Sequence, residues 1–143
     1  MIVLDANVLF ALFGGEHAHH ARATAWFDGI RVEGETFGAP FIVWHALVRL
    51  ATNRRVLDPP ASHDEVFAFI DAMRGHDGHR PADAGSRHLE LFRQLCERHQ
   101  ATGNLVTDAA IAAIAIENGA TLASFDRDFA RFRPALRWVI PGE

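Results

Sequence analysis

The stretch Met1-Ile-Val-Leu-Asp-Ala-Asn-Val-Leu9 places a carboxylate directly after a short run of apolar residues. Such a run predicts a strand buried on both faces, as in a parallel sheet. Residues 5–13 predict the helix that follows, stopped by Gly14-Gly15. In open α/β sheets the carboxyl ends of the strands line the ligand crevice. The opening therefore predicts an α/β fold with a polar site at the end of its first strand.

Beyond this opening, short apolar runs alternate with helical patterns. Further strands are predicted at 36–39, 120–124 and 137–140. Strands that alternate with helices form βαβ units, which predicts a three-layer α/β/α sandwich around a central, mainly parallel sheet. The polar stretch 76–81 could add an edge strand. With 143 residues, we expect a single domain spanning 1–143 with a real core.

The predicted helices follow from apolar periodicity and from capping residues at their ends. They cover 17–29, 41–52, a segment after the capping box Ser62/Glu65, a segment ending near Gln100, the alanine-rich segment from 107 to 118, and a short turn at 125–132. Asp83 or Ser86 is the predicted cap of the helix that ends near Gln100. Thr107 is the predicted cap of the alanine-rich helix, and Gly119 its stop.

Three acids fall where this fold brings distant parts of the chain together. Asp5 follows the first strand, Asp108 lies at the start of the alanine-rich helix, and Asp126 follows the strand at 120–124, with Asp128 two residues further on. Two carboxylates about 5 Å apart repel by roughly 3 kcal/mol at an effective dielectric constant near 20. The chain has no lysine, so either an arginine or a metal ion must supply the positive charge. Acids gathered from distant segments are typical of sites for hard divalent cations.

Composition narrows the functional class. The net charge is −4 and 49% of the residues are hydrophobic, which excludes a globally basic nucleic-acid coat but not a local basic patch. The single cysteine, Cys96, cannot form an internal disulfide, and the N-terminus lacks the basic region of a signal peptide. No apolar run approaches the roughly 20 residues of a membrane span. We therefore expect a cytoplasmic protein.

Four segments together resemble one family. Met1 to Leu9, Leu105 to Ile116 and Ala120 to Phe132 resemble the three acidic motifs of PIN-domain ribonucleases, particularly the VapC toxins of VapBC toxin–antitoxin systems. Val48-Arg-Leu-Ala-Thr-Asn-Arg-Arg-Val56 is similar to a segment common in one branch of these toxins. Each motif alone is weakly specific, but the four occur in the family's order and span the whole chain.

The resemblance implies a three-layer α/β/α fold and endonucleolytic cleavage of RNA with Mg²⁺ or Mn²⁺. It also implies inhibition by a cognate VapB-like antitoxin and, commonly, a homodimer. By matching positions, the resemblance assigns Asp5, Asp108 and Asp126 to the metal, and Asp128 as a fourth catalytic acid. It assigns Asn7 to orienting the Asp5 carboxylate, and it places Ser124 at the small hydroxyl position before the last acid.

One position departs from the family pattern. Many PIN domains carry a glutamate on the helix after the second strand, whereas residues 41–49 contain no acid. His45, Glu35 or a water could take its place, or the site could function with three acids. The departure bears on the number and affinity of metal ions rather than on the class of reaction.

Arginines and aromatic residues indicate where partners would bind. RNA approaching an acidic cleft needs a basic rim. Two sequence clusters could supply it, Arg127/Arg131/Arg133/Arg137 and Arg49/Arg54/Arg55. An antitoxin is expected to cover the cleft, to insert an arginine, and to dock on apolar surface near Trp26, Trp44 and Phe41.

Three other interpretations stay open from sequence. A phosphotransfer or phosphatase domain also places aspartates after parallel strands, but it normally uses a lysine, and this chain has none. A catalytically degenerate PIN-like binding module would explain the missing glutamate. His17, His19 and His20 could form a separate metal site, although a solvated helix end explains them more simply.

Overall fold

A computed structural model describes residues 1–143 and contains a four-stranded parallel sheet in the order β2-β1-β3-β4. The strands are β1 (Ile2–Leu4), β2 (Phe37–Gly38), β3 (Thr121–Ala123) and β4 (Arg137–Val139). Both central strands are fully buried or nearly so, because helices cover both faces of the sheet. The predicted three-layer α/β/α fold with a parallel sheet is confirmed.

Six α-helices and one 3₁₀ helix surround this sheet. They are α1 (Ala6–Phe13), α2 (His20–Val32), α3 (Phe41–Ala51), α4 (His63–Arg74), α5 (His88–His99), α6 (Asn104–Glu117) and the 3₁₀ helix Arg127–Phe132. The capping box of α4 is present, since Ser62 accepts from the Glu65 N–H and Glu65 accepts from the Ser62 N–H. No helix in the chain is long and apolar enough to cross a membrane.

The core is one cluster of 32 buried apolar residues that lies on both sides of the sheet. Alanines account for much of α6, where Ala109, Ala112, Ala113 and Ala115 are buried. Such small side chains allow the α6 backbone to approach the sheet closely. This close packing fixes the position of Asp108, which lies on the same helix.

Two predicted helix starts were wrong. Helix α6 begins at Asn104 after Gly103, whose φ is 56°, so Thr107 lies inside the helix instead of capping it. Neither Asp83 nor Ser86 caps α5, which begins after Arg87 without a side-chain cap. The Glu117 carboxylate of α6 instead accepts hydrogen bonds from the N–H groups of Gly85 and Arg87, at 2.6 and 2.8 Å. A residue 30 positions from Arg87 thus holds the loop before α5, and the first turn of α5 has no side-chain cap.

The bounds of helix α2 and of the segment 76–81 also differ from the prediction. Helix α2 starts at His20 and passes through Gly29 to Val32, because that glycine is fully helical and does not end the helix. The edge strand that we suspected at 76–81 is a single parallel bridge between Phe37 and His79. A Cβ at Gly38 would overlap the Arg80 carbonyl, so only glycine allows this segment to lie against β2.

Candidate metal centre

The carboxyl edge of the sheet collects the predicted acids. Asp5 directly follows β1 and forms the N-cap of α1, while Asp126 follows β3 and forms the N-cap of the 3₁₀ helix. Strands β1 and β3 are parallel neighbours, with Leu4 opposite Ala123, so their ends lie side by side. Asp108 reaches this edge from the second turn of α6. Chain segments more than 100 residues apart therefore meet at one site.

Three of these acids form a tight group. One carboxylate oxygen from each of Asp108, Asp126 and Asp128 lies within 4.8 Å of the others. Asp108 and Asp126 are half-buried, and Asp128 is exposed. No arginine or histidine forms an ion pair with any member of this group. The donor set consists of hard oxygen atoms without a counter-charge, which fits a divalent metal ion.

Asp5 is held differently, inside a buried hydrogen-bond network. Its Oδ1 accepts from the Ala6 N–H at 2.7 Å, and its Oδ2 accepts from the Ser124 hydroxyl at 2.6 Å. Only 7% of Asp5 is exposed, and Ser124 is completely buried. Asp5 lies outside the group of three oxygens described above, but each of its own oxygens keeps a second lone pair.

Ser124 is the centre of this network. Its hydroxyl donates to Asp5 and accepts from the Asn7 amide at 3.0 Å and from the Asp126 N–H at 3.0 Å. Asn7 in turn accepts the Phe125 N–H at 3.1 Å. Asn7 makes no hydrogen bond to Asp5, and the two side chains are linked through the Ser124 hydroxyl. The network joins the end of β1 to the loop after β3 and fixes the backbone that carries Asp126.

The electrostatics of the site follow from burial and from like charge. Burial is the main cause that raises the pKa of Asp108 to about 6, and the nearby Asp126, Asp5 and Asp128 carboxylates raise it further. Burial also raises the pKa of Asp5, partly opposed by the hydrogen bonds from Ser124 and Ala6. Both shifts show that the metal-free site resists full ionisation. A cation would reverse this balance.

The two residues considered for the missing glutamate lie elsewhere. Glu35 pairs with the N-terminal amine of Met1 at 3.3 Å, which places it at the amino edge of the sheet, opposite the acids. His45 is exposed on α3 and lines a groove between α3 and α4 together with Phe41 and Asp71. Glu35 is therefore not a metal ligand of this site, and His45 makes no hydrogen bond or ion pair with the acidic group.

The predicted arginine rim is only partly assembled. Arg137 is the first residue of β4, at the edge of the sheet away from the acids, and donates to the Gly119 carbonyl. Arg133 lies over the Trp138 ring at 5.1 Å and donates to the Trp138 carbonyl. Arg127, between Asp126 and Asp128, is 71% exposed and pairs with Glu143 at 2.8 Å. These arginines are neighbours in sequence, but their side chains bind different parts of the chain and do not form one rim.

The surroundings of Phe125 are not evident from the sequence. This ring lies between His19, stacked at a centroid distance of 4.5 Å, and the Arg22 guanidinium at 5.5 Å. The three-residue spacing of His19 and Arg22 around the start of α2 is the only local signal for this pairing. His17 accepts from the His19 N–H and His20 contacts the Ala11 carbonyl, so two of these histidine rings have local structural partners.

Comparison with known proteins agrees with this geometry. The family model described as PIN domain matches residues 2–133. The chain is 44% identical to ribonuclease VapC31 and 41% identical to ribonuclease VapC25, both from Mycobacterium tuberculosis. Each match spans 132 residues, which are 92% of this chain and 93% of the relative. The chain therefore belongs to the PIN-domain family.

Solved structures share the fold at lower sequence identity. The VapBC2 complex of Rickettsia felis, bound to a DNA fragment from its promoter, superposes with a TM-score of 0.69 at 18% identity over 98% of both chains. VapC20 of M. tuberculosis, a toxin that cleaves the sarcin–ricin loop, superposes with a TM-score of 0.67 at 20% identity over 91% of this chain and 93% of that one. At these identities the likeness concerns the fold alone.

Removing the Ser124 hydroxyl tests the network. We expect Ser124→Ala to lower the free energy of unfolding by about 1–3 kcal/mol, because Asp5, Asn7 and the Asp126 N–H each lose a buried partner. Ser86→Ala is the matched control, since Ser86 is exposed and makes no side-chain hydrogen bond. Urea unfolding of both variants decides the point. Equal stability of the two variants would contradict the network's role.

Neutralising Asp108 tests the charge crowding. In the folded chain the pKa of Asp108 is about 6, whereas in the unfolded chain it lies near its ordinary value of 3.8. The folded state therefore binds more protons between these values, so this group lowers the free energy of unfolding as the pH rises through that window. We expect Asp108→Asn, in the absence of metal, to reduce this loss and to be at least as stable as the parent at neutral pH. A less stable variant at neutral pH would contradict the cost of ionising the half-buried Asp108 among the other carboxylates.

Proposed function

We propose that this chain is a metal-dependent endoribonuclease and the toxin of a toxin–antitoxin pair, acting as a single PIN-like domain over 1–143. The observation that carries the proposal is the group of acids at the carboxyl edge, crowded and without a cationic partner. Relatives at 44% and 41% identity are named as VapC ribonucleases, which supports RNA as the substrate. An RNA substrate and an unpaired Cys96 both suit the cytoplasm.

The acids suit Mg²⁺ or Mn²⁺. We propose Asp5, Asp108 and Asp126 as the residues that hold the ion, with Asp128 as a fourth catalytic acid. Asp108 and Asp126 combine proximity with partial burial, and Asp5 contributes charge from a fixed position. When bound, such an ion lowers the pKa of an attacking water and stabilises charge on the leaving oxygen.

The residues themselves would position the reactants. Ser124 and Asn7 fix the loop that carries Asp126, so the Asp126 carboxylate stays in place without reorganisation during the reaction. In this proposal Asp126 orients the attacking water and accepts its proton. Water attacks the phosphorus, the P–O bond to the leaving oxygen breaks, and a second proton from solvent completes the leaving alcohol.

A groove on the surface suits the proposed antitoxin. It lies between α3 and α4 and has a volume of about 600 Å³. Its apolar lining includes Phe41, Trp44, Phe67 and Ile70, and Phe41 is 74% exposed. Apolar surface of this kind, rimmed by Asp71 and Arg74, is typical of a peptide-binding groove. Trp26 lies on α2 and does not line the groove. Of the three aromatic residues expected at the docking surface, only Trp44 and Phe41 belong to the groove. Homodimerisation stays a prediction.

Cleavage of RNA tests the proposed activity. We expect the parent chain to cut RNA with Mg²⁺ or Mn²⁺ and not with EDTA, and Asp5→Asn or Asp108→Asn to reduce cleavage by a factor of at least about 100. Asp126→Asn is expected to cost more than Asp128→Asn, because Asp126 is half-buried and Asp128 is exposed. Asp77→Asn, in an exposed loop at the opposite edge, is the control and should retain full activity.

Either of two results would decide against this assignment. Metal-independent cleavage, or full activity of Asp108→Asn, would remove the acids from the reaction. A folded chain that never cleaves RNA would favour the PIN-like binding module.

Growth after induction tests the toxin and its partner. We expect the chain alone to arrest growth and a small reading frame beside its gene to restore it. Phe41→Asp should still arrest growth but escape rescue, because a buried charge opposes docking in the groove. Val32→Asp is the control, since Val32 is 89% exposed and lies outside the groove. Absence of arrest by a folded, active chain would contradict the toxin assignment, and rescue of Phe41→Asp would contradict the groove.

A further inference from the structure

Two arginines beside the acidic site share one carboxylate. Arg22 of α2 approaches Glu143 Oε1 at 3.4 Å, and Arg127 of the 3₁₀ helix approaches the same oxygen at 2.8 Å. The two guanidinium nitrogens therefore lie no more than about 6 Å apart. Two cations that converge on a single oxygen anion form a site for an anionic group, which the Glu143 side chain occupies in the free chain.

The arginines are not equally satisfied by this carboxylate. Arg127 donates a hydrogen bond to Glu143. The Nη2 of Arg22 is buried and has no hydrogen-bond partner, although Glu143 is near enough for an ion pair. A buried N–H group without a partner is costly. The single Glu143 oxygen accepts a hydrogen bond from Arg127 but not from Arg22. An anion with several oxygens, such as a phosphate, could accept hydrogen bonds from both arginines at once.

Arg22 and Arg127 lie next to the acids at which the RNA strand would be cleaved. Arg127 stands between Asp126 and Asp128 in sequence, and Arg22 lies over the ring of Phe125, which precedes Asp126. The pair therefore flanks the proposed cleavage site without belonging to the acidic group. A strand bound for cleavage carries a phosphate at every nucleotide, so a neighbouring phosphate can lie beside the one that is cut.

The Glu143 side chain can leave this site without unfolding of the chain. Its side chain is 48% exposed, and its backbone N–H donates to the Ile140 carbonyl at 3.1 Å. Gly142, with φ of 78°, lies against the stem of Arg22, where a Cβ would approach the Arg22 Cγ to 2.8 Å. This contact brings Glu143 beside the arginines. Rotation of the side chain alone would then expose them.

We propose that Arg22 and Arg127 form a subsite for a backbone phosphate of the RNA strand adjacent to the cleaved bond, and that the Glu143 carboxylate occupies this subsite until RNA displaces it. The inference rests on the proposed function for the identity of the strand. Glu143 thus competes with the substrate and weakens its binding. The two arginines supply affinity without reading sequence.

Binding of a labelled single-stranded RNA in EDTA, followed by fluorescence anisotropy over a range of KCl concentrations, tests the proposal without cleavage. We expect Glu143→Gln to tighten binding about threefold to tenfold. Arg22→Gln and Arg127→Gln should each weaken binding about fivefold, and each should reduce the slope of log affinity against log salt by about 0.7. In a chain lacking both arginines, Glu143→Gln should no longer tighten binding.

Asp28→Asn and Arg31→Gln provide matched controls. They change the net charge equally through an ion pair at the other end of α2. Thermal unfolding confirms that each variant is folded, and the exposed Arg127 offers a test should Arg22→Gln fail to fold. The proposal is overturned if Glu143→Gln binds no tighter than Asp28→Asn, or if its effect persists without the arginines. It is also overturned if the arginine variants weaken antitoxin binding and leave RNA binding unchanged.

The test of the phosphate subsite and the test of the nuclease activity can fail independently of each other. A chain that binds RNA as expected but does not cleave it would refute the nuclease assignment and support the subsite. A chain that cleaves RNA but binds it independently of these three residues would refute the subsite alone.

Discussion

Mutual repulsion of carboxylates at one edge of the sheet is the constraint that shapes the rest of the site. The fold brings Asp5, Asp108 and Asp126 together from the ends of β1 and β3 and from α6, and no basic side chain pairs with any of them. Burial of Asp108 disfavours its charged form and, together with repulsion from the neighbouring carboxylates, raises its pKa to about 6. A bound cation would offset the cost of ionising these carboxylates. The fold holds the carboxylates in place before the ion binds.

The Ser124 network shows how the chain keeps such a site rigid. A single buried hydroxyl donates to Asp5 and accepts from Asn7 and from the backbone of Asp126. The bonds to Asp5 and Asn7 join residues separated by more than 100 positions, so the site and the pairing of β1 with β3 stabilise each other. Trp138 of β4 extends the support, since its indole N–H donates to the Ser124 carbonyl at 3.1 Å. The positions of the acids therefore depend on the pairing of the strands that carry them.

Much of this arrangement was predictable, because strand ends and glycine stops leave local signals. The run Ile2–Leu4 before Asp5 and the run before Asp126 located both strands and two of the acids. Several of the departures come from contact between segments far apart in sequence. Glu117 accepts hydrogen bonds from the loop before α5, and Glu143 pairs with Arg22 and Arg127. Neither contact has a periodic or capping signature, and the separation of Arg137 from Arg127 appears only once the sheet is formed.

The proton balance of metal binding tests the central claim most directly. Calorimetric titration of the chain with Mn²⁺, in buffers of different ionisation enthalpy, measures how many protons leave when the ion binds. With a pKa of about 6 for Asp108, the account predicts release of roughly half a proton or more at pH 6, and almost none at pH 8. The Asp108→Asn variant should release less at pH 6 and bind more weakly. Binding at pH 6 without proton release, or with unchanged affinity in that variant, would contradict the account.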